Sequence, residues 1–233
     1  GVLVKVSVDS LKDDTETMTD PTVKVAPTST VRPTTIVPED LPMGHGSAGM
    51  AVPLSAASGG NFDPNKFAAY GRKWTAPPFN GDNKSDFNSN YPFFSQNCAN
   101  FVSQMYNQAG WKRTGGVNPN DEGNWDDNLT GPAGASDTWA GAAPLYRYAY
   151  KSKKLATLGN IWNAAPGNTY FLDWDGNSKI NHVTAVTDRT SGGVPRISQK
   201  TGNRHNLLLT TWKAIVDKEN PKVKWFGLRG TTR

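Results

Sequence analysis

Helix-patterned segments come first in this chain and short strand-patterned segments follow, an order that constrains the fold more than any other feature. Phe67, Tyr70, Gly71 and Trp74 give one apolar face behind Asp63-Pro64, a cap followed by proline at the first helical position. Phe101, Val102, Met105 and Ala109 recur at helical spacing, with Gly110 as a stop. Asp137 is the expected cap of a third helix over residues 138–151, which Pro144 weakens or starts later. From Ile161 the pattern turns to short strands: Tyr170–Trp174, His182–Thr187, Pro195–Gln199, Leu207–Thr210 and Val223–Leu228, with turn residues between. Helices first and strands afterwards predict an α+β fold.

The first sixty residues do not fit that pattern. Val2, Val4, Val6 and Val8 alternate with Leu3, Lys5 and Ser7, which reads as a strand. Pro21, Pro27, Pro33, Pro38, Pro42 and Pro53 then punctuate a Thr/Val-rich tract that is hard to make helical or to pack. One strand cannot form a domain. Residues 1–60 are therefore expected to be an N-terminal strand and linker, and residues 61–233 the compact domain. The strand at residues 1–9 would close an upstream domain, pair with a partner strand, or extend the downstream sheet. With Gly1 first and neither an initiator Met nor a signal peptide, a mature or excised form is expected.

Composition removes several classes of function. No apolar run approaches the roughly 18–20 residues of a membrane span. A single cysteine rules out an internal disulfide framework and a thiolate-rich metal site. The net charge of +5 hides an asymmetry: residues 1–144 carry 10 basic and 15 acidic side chains, residues 145–233 carry 15 and 5. That basic half would attract anionic polymers, yet its charges form no run and no nucleic-acid motif is present.

The cysteine lies in Ser95-Gln96-Asn97-Cys98-Ala99-Asn100-Phe101-Val102-Ser103-Gln104, at a turn-to-helix junction where Ser95 or Asn97 could cap. In the first helical turn the helix dipole favours thiolate, the nucleophilic form. The plainer alternative is a small buried hydrophobe, but its neighbours are polar or small, unlike a core slot. His182 follows 84 residues later, at the head of Val183-Thr184-Ala185-Val186, where it could take the thiol proton and return it to a leaving amine. His205 is a rival base in a polar turn, and His45 reads as a loop residue. Gly, Asn, Asp and Pro crowd residues 111–137, a long loop expected to wall a cleft with Trp111 and Trp125 lining it. Asp173-Trp174-Asp175-Gly176-Asn177-Ser178 resembles a calcium loop but lacks Gly at its sixth position and Glu at its twelfth, so an acidic turn is expected and no metal.

The block from Gln96 to Gln104 resembles the "DCTNFVSQ" signature of the bacterial putative amidase domain family, which is allied to NlpC-type and CHAP papain-like cysteine hydrolases. Asn97 and Ala99 stand where the family has Asp and Thr, and Asn181-His182-Val183 is the second anchor. The resemblance runs from about Asn61 onward and implies a papain-like fold, with a cysteine on a helix packed against an antiparallel sheet. It also implies a polar residue on the following strand, often His before Thr; Lys200-Thr201 occupies that place. A charged lysine cannot accept the imidazole N–H, whereas Asn203 and Gln199 can, and Asn203 is favoured as the orienting residue. The backbone N–H of Cys98, with the side-chain amide of Gln96 or Asn97, would hold the oxyanion. The expectation is a secreted, extracellular or cell-wall-associated cysteine amidase or peptidase. It would act on an amide bond in a peptidoglycan-like peptide, without a cofactor. A non-catalytic binding module on the same fold and an acyl transferase using the same thioester are the alternatives.

Overall fold

A computed structural model describes residues 62–128 and 134–232. The expected strand at residues 2–8, the proline-punctuated tract up to residue 60 and His45 lie outside the described residues.

Helix α1 (Pro64–Lys73) starts as its sequence dictates: Asp63 Oδ1 accepts from the N–H groups of Asn65 and Lys66 at 2.9 and 3.2 Å, satisfying donors that have no intrahelical partner. Helix α2 (Cys98–Gln108) is buried continuously from Cys98 to Tyr106, because other elements cover both of its sides. The single helix expected over residues 138–151 is broken into α3 (Asp137–Ala140) and α4 (Ala142–Arg147), closed by a π-helical turn at Tyr148–Ser152. Pro144 explains the break. It has no N–H for a carbonyl four residues back, so the chain restarts with extended Gly141 as cap and Pro144 in the first turn. Ser136, not Asp137, occupies the cap position of α3.

Among the described residues six antiparallel strands form one sheet: β1 (Leu155–Thr157), β2 (Thr169–Asp173), β3 (His182–Arg189), β4 (Pro195–Gln199), β5 (Arg204–Leu208) and β6 (Lys224–Thr232). Their order is β1-β6-β2-β3-β4-β5, which puts the last strand between the first two. Leu207–Thr210 is only half strand. Helix α5 (Leu209–Glu219) begins at Leu209 and buries Leu209, Trp212 and Val216, spaced for one helical face. The Leu-Leu-Leu-Thr-Thr run hides that period behind strand-like residues, and packing overrides the local preference.

Alternation along the strands divides the interior into two cores. Phe171, Val183, Ala185, Phe226 and Leu228 face α1, α2 and α4, packing with Phe67, Phe101, Met105 and Leu145. Tyr170, Leu172, Val186, Ile197 and Trp225 pack with Trp212 of α5 in the second core. Trp111 and Trp125, expected to line a cleft, fill the first core instead. Trp111 stacks on Tyr106 at 4.0 Å, and Trp125 Nε1 donates to Ser103 Oγ at 3.2 Å. The loop that carries them does wall a cavity of about 720 Å³, through Arg113, Asp126 and Asp127 opposite Tyr91.

Candidate active site

Cys98 is the first residue of α2 and 7% exposed. Its thiol is pushed up from the usual cysteine value by burial, against the pull of backbone N–H groups of Val183, Ala99 and Cys98 itself. Those donors gather because α2 starts against the head of β3. Asn97 holds the cap position but does not cap by its side chain. Its Oδ1 accepts from Phe94 N–H at 3.1 Å and from Asn100 Nδ2 at 2.7 Å, and its Nδ2 donates to Phe94 O, so it braces the loop leading into the helix. The N–H of Asn97 donates to Thr201 Oγ1 at 2.8 Å, tying the helix start to the turn between β4 and β5.

His182 heads β3, next in sequence to the Val183 N–H that meets the thiol. Its own ring lies against Trp174 and Trp212, at centroid distances of 5.1 and 6.4 Å, which are residues of the second core. Nε2 is 3.1 Å from Gln199 Oε1. The imidazole's hydrogen bond therefore goes to Gln199 and not to the thiol. Burial pulls its pKa down to about 4; Gln199 opposes the shift and the positive charge of Arg204 adds to it.

The Gln199 contact fixes a tautomer. Gln199 Nε2 donates to Gly202 O at 3.1 Å, which orients the amide and turns Oε1 toward the imidazole. An amide oxygen only accepts, so the proton sits on Nε2 of His182, and Nδ1 keeps its lone pair. The buried, neutral imidazole thus keeps Nδ1 as its one unprotonated ring nitrogen.

The other expected site residues are placed as follows. Asn203 does not reach His182: its Nδ2 donates to Thr75 O at 3.1 Å, and its Oδ1 is buried without a partner. The imidazole's hydrogen-bond partner is thus Gln199, the alternative, because β4 runs beside β3 while Asn203 lies past the turn. Gln96 lies two residues before α2 with Oε1 buried and unpaired. Lys200 points away from the imidazole; Nζ donates to Phe79 O and Gly81 O at 2.7 and 2.6 Å, and burial lowers its pKa to about 8 against the pull of Asp82 and Asp86. His205 is in β5, with Nδ1 3.0 Å from Thr75 Oγ1. Asp173 accepts from Asn177 N–H and Ser178 N–H at 3.1 and 2.7 Å, closing an acidic turn onto itself.

Residues 61–225 match the family model described as Putative amidase domain. The chain belongs to that family. The amidase family's description carries amide hydrolysis as its class of activity, which makes a hydrolase the coarse reading of this domain. The chain is also similar to Uncharacterized protein YhbB of Bacillus subtilis (strain 168), 27% identical over 117 residues, covering 49% of this chain. It spans about a third of that relative's length, 36%. No solved structure matches it.

Proposed function

We propose that this amidase-family domain is a cysteine-dependent amide hydrolase with Cys98 as nucleophile, His182 as base and Gln199 as the residue that orients the base. One observation carries the reading: Gln199 fixes the Nε2–H tautomer of a buried imidazole one residue from the N–H that meets the thiol. In this reading Nδ1 takes the thiol proton as Sγ attacks the substrate carbonyl. The Cys98 N–H and the Gln96 amide stabilise the oxyanion. Collapse breaks the C–N bond, the imidazolium protonates the leaving amine, and water releases the acid from the thioester. A helix start carrying Cys98 against a sheet carrying His182 and Gln199 supports a papain-like arrangement. A peptide amide of cell-wall type as substrate, and a secreted or wall-associated protein, follow the resemblance of the Cys98 block.

A binding module on the same fold is the second reading, favoured by the 7% exposure of Cys98 and its raised thiol pKa. Mass spectrometry of the protein quenched seconds after mixing with peptide amides and wall fragments separates the two. The hydrolase reading expects released amine and an acyl adduct on Cys98. A panel that yields neither, while one of its members binds, rejects it for the binding module. Free amine acceptors in the same mixture show whether acyl transfer competes with hydrolysis.

A further inference from the structure

The turn between β4 and β5 touches both halves of the site. Thr201 Oγ1 accepts the N–H of Asn97, the residue before the nucleophile, at 2.8 Å. Gly202 O accepts from Gln199, which orients His182, at 3.1 Å. One short turn thus sets the helix start on one side and the base on the other.

The backbone of that turn needs holding. Thr201 has φ 63° and Gly202 has φ 76°, the left-handed region, which is disfavoured for threonine. Their N–H groups and that of Asn203 point the same way, a concavity suited to an anion. Asp82 fills it: its carboxylate accepts from Thr201 N, Gly202 N and Asn203 N at 2.9, 2.9 and 2.8 Å. Lys200 reinforces the union from the turn's side by donating to Phe79 O and Gly81 O, on the segment that carries Asp82.

We infer that Asp82 is a positioning residue for both Cys98 and His182, acting through the 200–203 turn. It touches neither group. Its carboxylate holds Thr201 in the conformation that presents Oγ1 to Asn97, and holds Gly202 where its carbonyl orients Gln199. This rests on the proposed roles of Cys98 and His182, but its geometric content can be tested without turnover. The sequence gives no local sign of it, because Asp82 and Thr201 are 119 residues apart.

The test compares Asp82→Ala and the milder Asp82→Asn with Asp63→Ala, which removes the α1 cap far from the turn. Ring-nitrogen NMR of His182, assigned with His182→Gln, reads the tautomer directly. Wild type and Asp63→Ala should show protonated Nε2 and bare Nδ1. Asp82→Ala should show mixed tautomers, and Asp82→Asn an intermediate pattern in case the alanine variant does not fold. On a hydrolysed peptide amide, kcat should fall about tenfold or more in Asp82→Ala with KM little changed, the pattern of lost positioning rather than lost binding. An unmixed Nε2–H tautomer in both Asp82 variants overturns the inference. Kinetics no different from those of Asp63→Ala at equal melting temperature overturn it as well. If no peptide amide is cleaved even by wild type, the hydrolase reading fails, and the NMR arm still decides the role of Asp82.

Discussion

The start of α2 and the start of β3 each bury one reactive polar group, and they treat it differently. At α2 the thiol meets backbone N–H groups, donors fixed by the helix and by the head of β3. At β3 the imidazole meets side chains: two tryptophan rings and an amide oxygen. Burial dominates in both places, and it drives the two groups toward neutrality from opposite directions, the thiol up and the imidazole down. The resting pair is therefore thiol and imidazole, not thiolate and imidazolium. The difference lies in what can be altered by mutation. The thiol's donors are main-chain groups of the helix start and of β3, whereas the imidazole's acceptor is a side chain, Gln199, that a substitution removes; the 200–203 turn stands behind both.

The largest expected effect removes the groups themselves. Cys98→Ala should lower hydrolysis at least about a thousandfold while leaving thermal unfolding nearly unchanged, since one small side chain replaces another. His182→Ala should be nearly as severe. The double variant should be little worse than either alone, because nucleophile and base act as a unit. Losses that multiply in the double variant would mean that the two ends of the comparison work independently.

Gln199 sharpens the contrast one step further out. Gln199→Ala should reduce kcat by about tenfold to a hundredfold, in the manner of an outer partner that fixes a histidine tautomer. Asn203→Ala should cost far less, because its amide donates to Thr75 O and not to the imidazole. The reverse ranking in kcat would return the orienting role to Asn203.

Acid should expose the buried imidazole. The folded-state pKa of His182 is about 4, below the usual 6.5, so between those values the unfolded chain binds a proton that the folded chain refuses. Stability is then fully present above pH 6.5 and falls by about 1.4 kcal/mol per pH unit down to about pH 4, below which this contribution is flat. Denaturant titrations at pH 7 and 4.5 should show that loss in wild type, and a smaller one in His182→Gln. Equal losses would place the acid-sensitive group elsewhere. By the same linkage Cys98, whose thiol pKa is raised, makes folding less favourable as pH rises above 9.0, where the unfolded thiol ionises first.

How much of this the sequence revealed depended on range. The α1 cap, the helix start at Cys98 and the strands from β2 to β4 are local features, written in caps, periods and turn residues. Helix α5 was hidden because Leu207-Leu208-Leu209-Thr210-Thr211 satisfies both periods, and only Trp212 packing on the second core decides between them. The tryptophans of the 111–137 loop were misplaced for a similar reason: a loop's composition does not tell which way its rings turn. In the site, Cys98 and His182 stand out by residue type. The choice of Gln199 over Asn203 depends on strand adjacency, and Asp82 on a contact across more than a hundred residues. Neither leaves a mark within a local window.

The smallest effect is expected from chelation. The Asp173–Ser178 turn, on the strand beside His182, has the oxygens of a cation loop but has already used them. Asp173 is fully buried, with its carboxylate on the N–H groups of Asn177 and Ser178. Asn177 Oδ1 accepts from Lys179 N–H at 2.9 Å. Lys224 donates Nζ to Gly176 O at 2.7 Å, so a fixed positive charge already stands among these acceptors. A calcium ion would have to break those bonds and displace an ammonium, without the bidentate acid that completes such loops. Adding a chelator should therefore move the melting temperature by less than about 1 °C, whereas a bound ion stabilises in proportion to its occupancy. Asp173→Ala should destabilise the fold equally with and without calcium, because what it removes is a turn and not a ligand. A chelator-induced fall of several degrees, restored by calcium alone and absent in Asp173→Ala, would make this turn a metal site that braces the head of β3.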